Sequence, residues 1–137
     1  MNSTAPTTDT EHGLAAKLLR GDVLSAACPA REVLRDVTSR WGVLVLIALR
    51  SERLRYSELR RRIGGVSEKM LAQTLRALVL DGFVTRVSLP VVPPHVEYSL
   101  TAMGEEVSQR VEDLTRWIES NLPMVLAARV ASSRTKT

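Results

Sequence analysis

The chain has little of the chemistry on which small enzymes and small secreted domains depend. A single cysteine, Cys28, among 137 residues leaves no partner for an intrachain disulfide and excludes a zinc site built on cysteines. A reducing, cytoplasmic setting is the expectation. The two histidines, His12 and His95, stand far apart in sequence, no glycine-rich phosphate loop follows a strand, and metal-ligating side chains are not clustered. Catalysis, a bound metal and a cofactor are therefore not expected. The longest apolar run, Val43 to Leu49, spans seven residues, against the roughly 20 that a membrane-crossing helix needs. The first dozen residues lack the basic start and apolar stretch of a secretory signal. Neither membrane insertion nor secretion is expected.

What the chain does have is an ordinary globular composition, 45% apolar and 25% charged, at a length that suits one domain with terminal extensions. Its formal net charge is +4, and the placement of that charge says more than its size. Between Arg50 and Arg76 lie eight basic residues and three acidic ones, a net +5, so the rest of the chain sums to −1. A polyanionic partner is expected to dock on this segment.

Residues 1–13 and 131–137, rich in Ser and Thr, read as tails. Leu14, Leu18 and Leu19 form a short helical appendage, 14–27, stopped near Gly21. A helix opens at Cys28-Pro29, where proline suits the first turn, and carries Val33, Leu34 and Val37. From Trp41 to Leu49 the apolar residues cover nearly a whole helical circumference, which predicts a helix wrapped by others. Tyr56, Leu59 and Ile63 then make one helical stripe and leave Arg60, Arg61 and Arg62 outside it. Gly64-Gly65 turns the chain, Ser67 caps a further helix, and Gly82 stops it. Two short helices across a glycine turn form a helix-turn-helix. With Leu71 at 0° and about 100° per residue, Leu75 and Leu78 fall at roughly 40° and 340°, while Arg76, Lys69 and Gln73 fall at roughly 140°, 160° and 200°. The first three face a core; the last three face away.

After Gly82 the period changes to two. Phe83 to Leu89 and Val96 to Leu100 read as strands around a proline-rich loop, Pro90 to Pro94, and a hairpin placed there is a wing. Thr101 caps a long helix on which Val107, Val111, Leu114, Ile118 and Leu122 recur at near-heptad spacing beside Trp117. Pro123 is expected to end or kink it, with one more short helix at 124–130. The fold class is α+β, mainly helical: a winged helix-turn-helix core at 28–101 with dimerisation helices at 102–130 and at the N-terminus.

Position within such a motif assigns roles. Lys69, Gln73 and Arg76, with Ser67 and Thr74 beside them, sit where side chains reach base edges, Arg suiting guanine and Gln adenine. Arg60, Arg61, Arg62 and Arg55, with His95 in the wing, are candidates for backbone phosphates. Val107, Val111, Leu114, Trp117 and Ile118 are the candidate subunit interface. Cys28, at a helix start next to Pro29 and close in sequence to Arg31, is placed where a thiolate is favoured.

Several ordered blocks together resemble the HxlR-type winged helix-turn-helix regulators, a bacterial group related to the MarR-like regulators. They are Cys28-Pro29, Arg40-Trp41 with Leu44-Val45-Leu46, Leu54 to Arg61, Gly65 to Leu71, Gln73 to Arg76, Asp81-Gly82, and Val92-Pro93-Pro94 through Val96 to Thr101. The resemblance implies a homodimer that binds double-stranded DNA at an inverted-repeat operator and represses, occasionally activates, nearby genes. It also implies a redox-sensing role for Cys28, with a small electrophile or oxidant as signal, since several family members sense through a cysteine before this proline. Four places depart from the pattern: Ser39-Arg40-Trp41 replaces Gly-Lys-Trp, Leu89-Pro90 replaces Tyr-Pro, His95 stands where the wing commonly has Arg, and Ala77 to Leu80 replaces acidic residues. Leu80 is then expected to be covered by the appendage or a second subunit. Two alternatives stay open: a winged helix used only for protein contacts, and a regulator switched by a small ligand between subunits.

Overall fold

The computed structural model describes residues 22–135. The expected appendage helix around Leu14, Leu18 and Leu19 lies outside them, and residues 22–27 form turns. Helix α1, Pro29–Thr38, begins with proline in its first turn and Cys28 as N-cap residue. Ser39 then serves two helices at once. Its hydroxyl donates to the Asp36 carbonyl at 3.0 Å and accepts from the Gly42 N–H at 3.1 Å, closing α1 and opening α2, Arg40–Leu49. Beyond the two-residue strand β1, Leu54–Arg55, follow α3, Tyr56–Arg62, and α4, Glu68–Leu80. Strands β2, Val84–Leu89, and β3, His95–Leu100, make the wing, and α5, Ala102–Thr135, completes the chain.

The stop signal at Gly82 has a clear mechanism. Gly82 adopts φ +84°, its N–H donates to Val79 and the next N–H, of Phe83, donates to Leu78, each at 3.0 Å. Two carbonyls left over at the end of α4 are thereby satisfied, and only glycine takes that backbone conformation without steric cost. Gly65, at φ +86°, likewise takes the left-handed conformation in the turn between α3 and α4. Thr101 stitches α5 to this corner, since its hydroxyl donates to the Gly82 carbonyl at 2.6 Å and accepts from Gly104 at 3.0 Å.

The sheet is antiparallel with order β1-β3-β2. Its register sets Leu54 against Tyr98, Arg86 against Tyr98 from the other side, and Val84 against Leu100. Side chains of Val84 and Tyr98 join the core, where Val45, Leu46, Leu59, Leu71, Leu75 and Leu78 are almost wholly enclosed. Each such leucine contributes about 1.5–3 kcal/mol by leaving water.

Four expectations change. Helix α2 is not covered all round by the described residues: Val43 and Ile47 are half-buried and Leu44 keeps 38% of its surface. Pro123 neither ends the last helix nor separates a second one. Helix α5 runs for 34 residues through Pro123 to Thr135, so the expected tail from 131 is helical in its first five residues. The near-heptad stripe on α5 also divides. Val111, 6% exposed, and half-buried Val107 pack into their own subunit's core, whereas Leu114, Trp117 and Ile118 lie open to solvent. Val111 is thereby unavailable to a second subunit. Strand β1 was not foreseen, since two residues carry no period.

Arg50 supplies a further correction, to the reading of the charge cluster. It turns away from the helix-turn-helix and clamps the end of α2 to α5, pairing through Nε with Glu112 and donating to the buried Ser108 hydroxyl at 2.9 Å and to Gln109 at 2.7 Å. One of the eight basic residues therefore belongs to the core junction. At the other end of the molecule Asp81, at the C-terminus of α4, faces Asp36 of α1. Burial first, then the neighbouring Asp36 and the charge of Glu32, opposed by Arg35, push the Asp81 carboxyl up from 3.8 to about 6. Its Oδ2 is enclosed without a donor, which fits a carboxyl that retains its proton through mildly acid conditions.

Candidate nucleic-acid interface

The α3–turn–α4 unit is held rigid from within. Ser67 caps α4 by accepting from the Met70 N–H at 3.1 Å, and the Tyr56 hydroxyl on α3 donates to the Glu68 carbonyl at 2.9 Å. At the start of α3 the Arg55 N–H donates to the Glu58 carboxylate at 2.9 Å. Leu71, Leu75 and Leu78 anchor α4 in the core as the helical spacing predicts.

That anchoring fixes what faces outward. Lys69, Gln73 and Arg76 are exposed, and none makes a hydrogen bond or ion pair within the described residues. Thr74 is half-buried and donates to the Met70 carbonyl at 2.8 Å, which turns it toward the α1 side and away from that row. The Ser67 hydroxyl is occupied as a cap but remains exposed. On α3, Arg60 lies 3.0 Å from Glu68 and Arg62 lies 3.6 Å from Glu52, while Arg61 has no acidic partner among the described residues. Exposed pairs of this kind contribute 0–1 kcal/mol and exchange readily for a phosphate. The Arg55 side chain is exposed at the mouth of the same surface.

The wing places His95 beside a carboxylate. His95 is half-buried with Nε2 3.8 Å from Glu97, whose carboxylate also lies 3.9 Å from Arg53. A carboxylate at that distance opposes a phosphate on the same imidazole. The tip carries no charge from Pro90 to Pro94, and Val92 projects fully into solvent. A residue missed by sequence reasoning is Arg86 on β2. It shares the inward face of the sheet with Val84 and lies opposite Tyr98. The signal was the phase of the strand, which Val84 sets and Val87 obscures.

Cys28 is a free thiol, 6% exposed, at the start of α1. The Arg31 guanidinium donates to the Leu24 carbonyl at 3.2 Å. Next to it an open apolar groove of about 430 Å³ runs between α1 and α5, lined by Pro29, Val33, Leu34, Val37, Phe83 and Val107. Leu80, at the end of α4, is 86% exposed in the single chain.

A rigid helix pair that presents unpaired cationic and amide side chains, followed by a β-hairpin, defines a winged helix-turn-helix DNA-binding module. Residues 36–125 match the model of the HxlR-like helix-turn-helix family, and the chain belongs to that family. It is similar to the HTH-type transcriptional regulator YtfH of Escherichia coli K12, with 62% identity over 116 residues that cover 85% of this chain and 92% of the relative. Among solved structures it is similar to the transcriptional regulator ytfH of Salmonella typhimurium, with TM-score 0.77, 65% identity, and coverage of 80% and 97% of the two chains. It also resembles the redox regulator HypR in its oxidized form, with TM-score 0.63, 34% identity, and coverage of 69% and 97%. The chain is a DNA-binding transcriptional regulator of this family and not an enzyme. No helix among the described residues is long and apolar enough to cross a membrane.

Proposed function

We propose that the chain acts in the cytoplasm as a homodimeric, sequence-specific repressor that binds an inverted-repeat operator. The observation that carries this reading is the row Lys69, Gln73 and Arg76, unpaired and outward on a helix whose other face is locked into the core. These residues read bases, with Ser67 secondary to them, and Arg61 leads the phosphate contacts of α3, with Arg55, Arg60 and Arg62 behind it. Thr74 joins the base set and His95 the phosphate set as lesser members. The core spans 28–101. The exposed part of α5, Leu114, Trp117 and Ile118, supplies the subunit contact, helped by the residues around Leu14, Leu18 and Leu19.

Cys28 is the proposed switch, responding to an oxidant or small electrophile. Its support is its place at the start of α1 together with the likeness to a redox regulator. Mobility shift with operator and scrambled duplex, with and without diamide, tests both parts. Binding that is tighter on operator and lost or altered by diamide, with Cys28→Ser insensitive, is the expected outcome. A Cys28→Ser protein that responds as wild type removes the redox switch and leaves DNA binding standing. The apolar groove between α1 and α5 favours a second reading, in which an apolar small molecule seated there replaces the thiol as signal.

A further inference from the structure

A second basic element flanks the recognition helix on its wing side. A cleft of about 340 Å³ opens between α4 and the sheet, bordered by Tyr56, Ala72, Arg76, Val79, Arg86 and Tyr98. On α4, Val79, Ala72 and Arg76 fall at roughly 80°, 100° and 140° from Leu71, so Arg76 marks the edge where the outward row meets the cleft. Across it stands Arg86, fixed by the β2–β3 register directly beside Tyr98. No carboxylate lines the cleft, and neither guanidinium has a hydrogen bond or ion pair within the described residues. Arg50, Arg53, Arg60 and Arg62, by contrast, all have acidic neighbours. Tyr98 lines the same cleft, and its hydroxyl, open to solvent and without a hydrogen bond within the described residues, is free to donate there.

Two unpaired guanidiniums and an unpaired phenol around one cleft form a donor set without an acceptor. We infer that this cleft is an anion subsite that takes one backbone phosphate of the operator, held by Arg86 and Arg76 with Tyr98 as a further donor. The inference rests on the DNA-binding reading and deepens it. With α4 in the major groove and the hairpin alongside, the sugar-phosphate strand that borders the groove passes between them, where a planar guanidinium can grip it through two N–H donors. Arg76 is then shared between groove and backbone, and Arg86 is a positioning contact that fixes register without reading sequence.

The test uses full-length protein, fluorescence anisotropy with operator and scrambled duplex from 50 to 200 mM salt, and phosphate-ethylation interference. Arg86→Ala should weaken both duplexes by roughly tenfold and flatten the salt slope by about 1 per subunit. Interference at one phosphate per half-site should disappear. Arg86→Lys should keep the slope, and Tyr98→Phe, which keeps the ring in the core, should lose several-fold on both duplexes. An Arg86→Ala protein with wild-type slope and interference pattern would overturn the subsite while leaving DNA binding intact; a wild type that binds neither duplex would overturn both. Inorganic phosphate titrated into DNA-free wild type distinguishes a free anion from the backbone. No saturation in the low-millimolar range supports the backbone. Saturable binding that Arg86→Ala abolishes, with the DNA salt slope unchanged, overturns it.

Discussion

Individual side chains in this protein take their meaning from what lies next to them, and charge is the clearest case. Arg50 and Arg61 are alike in sequence context, both in the cationic segment. Yet one is tied to Glu112 and Ser108 inside the α2–α5 junction, and the other is free at the surface. Lys69, Gln73 and Arg76 were legible in advance, because three leucines set the phase of α4 and geometry did the rest. Arg50 and Arg86 were not, since a cation's partner is a tertiary fact that periodicity does not encode. Arg50→Ala should accordingly destabilise the fold by about 2 kcal/mol, as expected when a largely buried pair loses one member, whereas Arg61→Ala should leave stability unchanged and weaken all duplexes alike. Urea denaturation beside anisotropy separates the two; equal stability losses would contradict the assignment.

Asp81 makes a prediction in pH. Its carboxyl rises from 3.8 in the unfolded chain to about 6 in the fold, so the folded state binds more protons across that window. Stability from this group is fully present below about pH 4 and falls as pH rises toward 6. Asp81→Asn removes the ionisation and can donate to Asp36. It should raise stability by about 1–2 kcal/mol at pH 7 and by almost nothing at pH 4. A gain that is the same at both pH values would show that charge is not the cause.

At the level of elements, the long periodic segments declared themselves and the short or dual-purpose ones did not. Helices α1 to α4 and the wing strands follow from capping residues, glycine stops and a change of period. Strand β1 exists only because Tyr98 and Glu97 offer it a ladder. Helix α5 misled in two ways. Its stripe looked like one interface, but the core claims Val107 and Val111 and leaves Leu114, Trp117 and Ile118 open to solvent. Its Pro123 looked like a boundary, yet the helix passes through it, which a proline permits at the loss of one backbone hydrogen bond and about 3 kcal/mol. Ile118→Asp should therefore convert a dimer to monomer in light scattering with little change in monomer helicity, and should reduce operator affinity far more than affinity for a half-site. A monomeric wild type, or a dimer indifferent to this change, would place the interface elsewhere.

For the molecule as a whole, a modest net charge hides a strongly divided surface. The helix-turn-helix carries the cations, and the α2–α5 junction takes up one of them, Arg50, in packing. If a dimer neutralises about 6–10 phosphates, affinity should fall by roughly 10³ to 10⁵ between 50 and 200 mM salt. A nearly flat salt response would contradict the proposed footprint. The operator's half-sites should lie about one helical turn apart, roughly 34 Å, because each subunit presents one recognition helix; DNase footprinting reads that spacing directly.

The double role of the Ser39 hydroxyl has a mechanical consequence. By closing α1 and opening α2 with one oxygen, it leaves no slack residue at their corner. Helix α1, about 15 Å long, is therefore a stiff lever pivoted at its C-terminal end. Its free end carries Cys28, and one turn short of the pivot Asp36 rests on Asp81 at the foot of the recognition helix. In the proposed switch, chemistry that displaces the thiol tilts the lever, and the short arm bears on α4, the element proposed to read the bases.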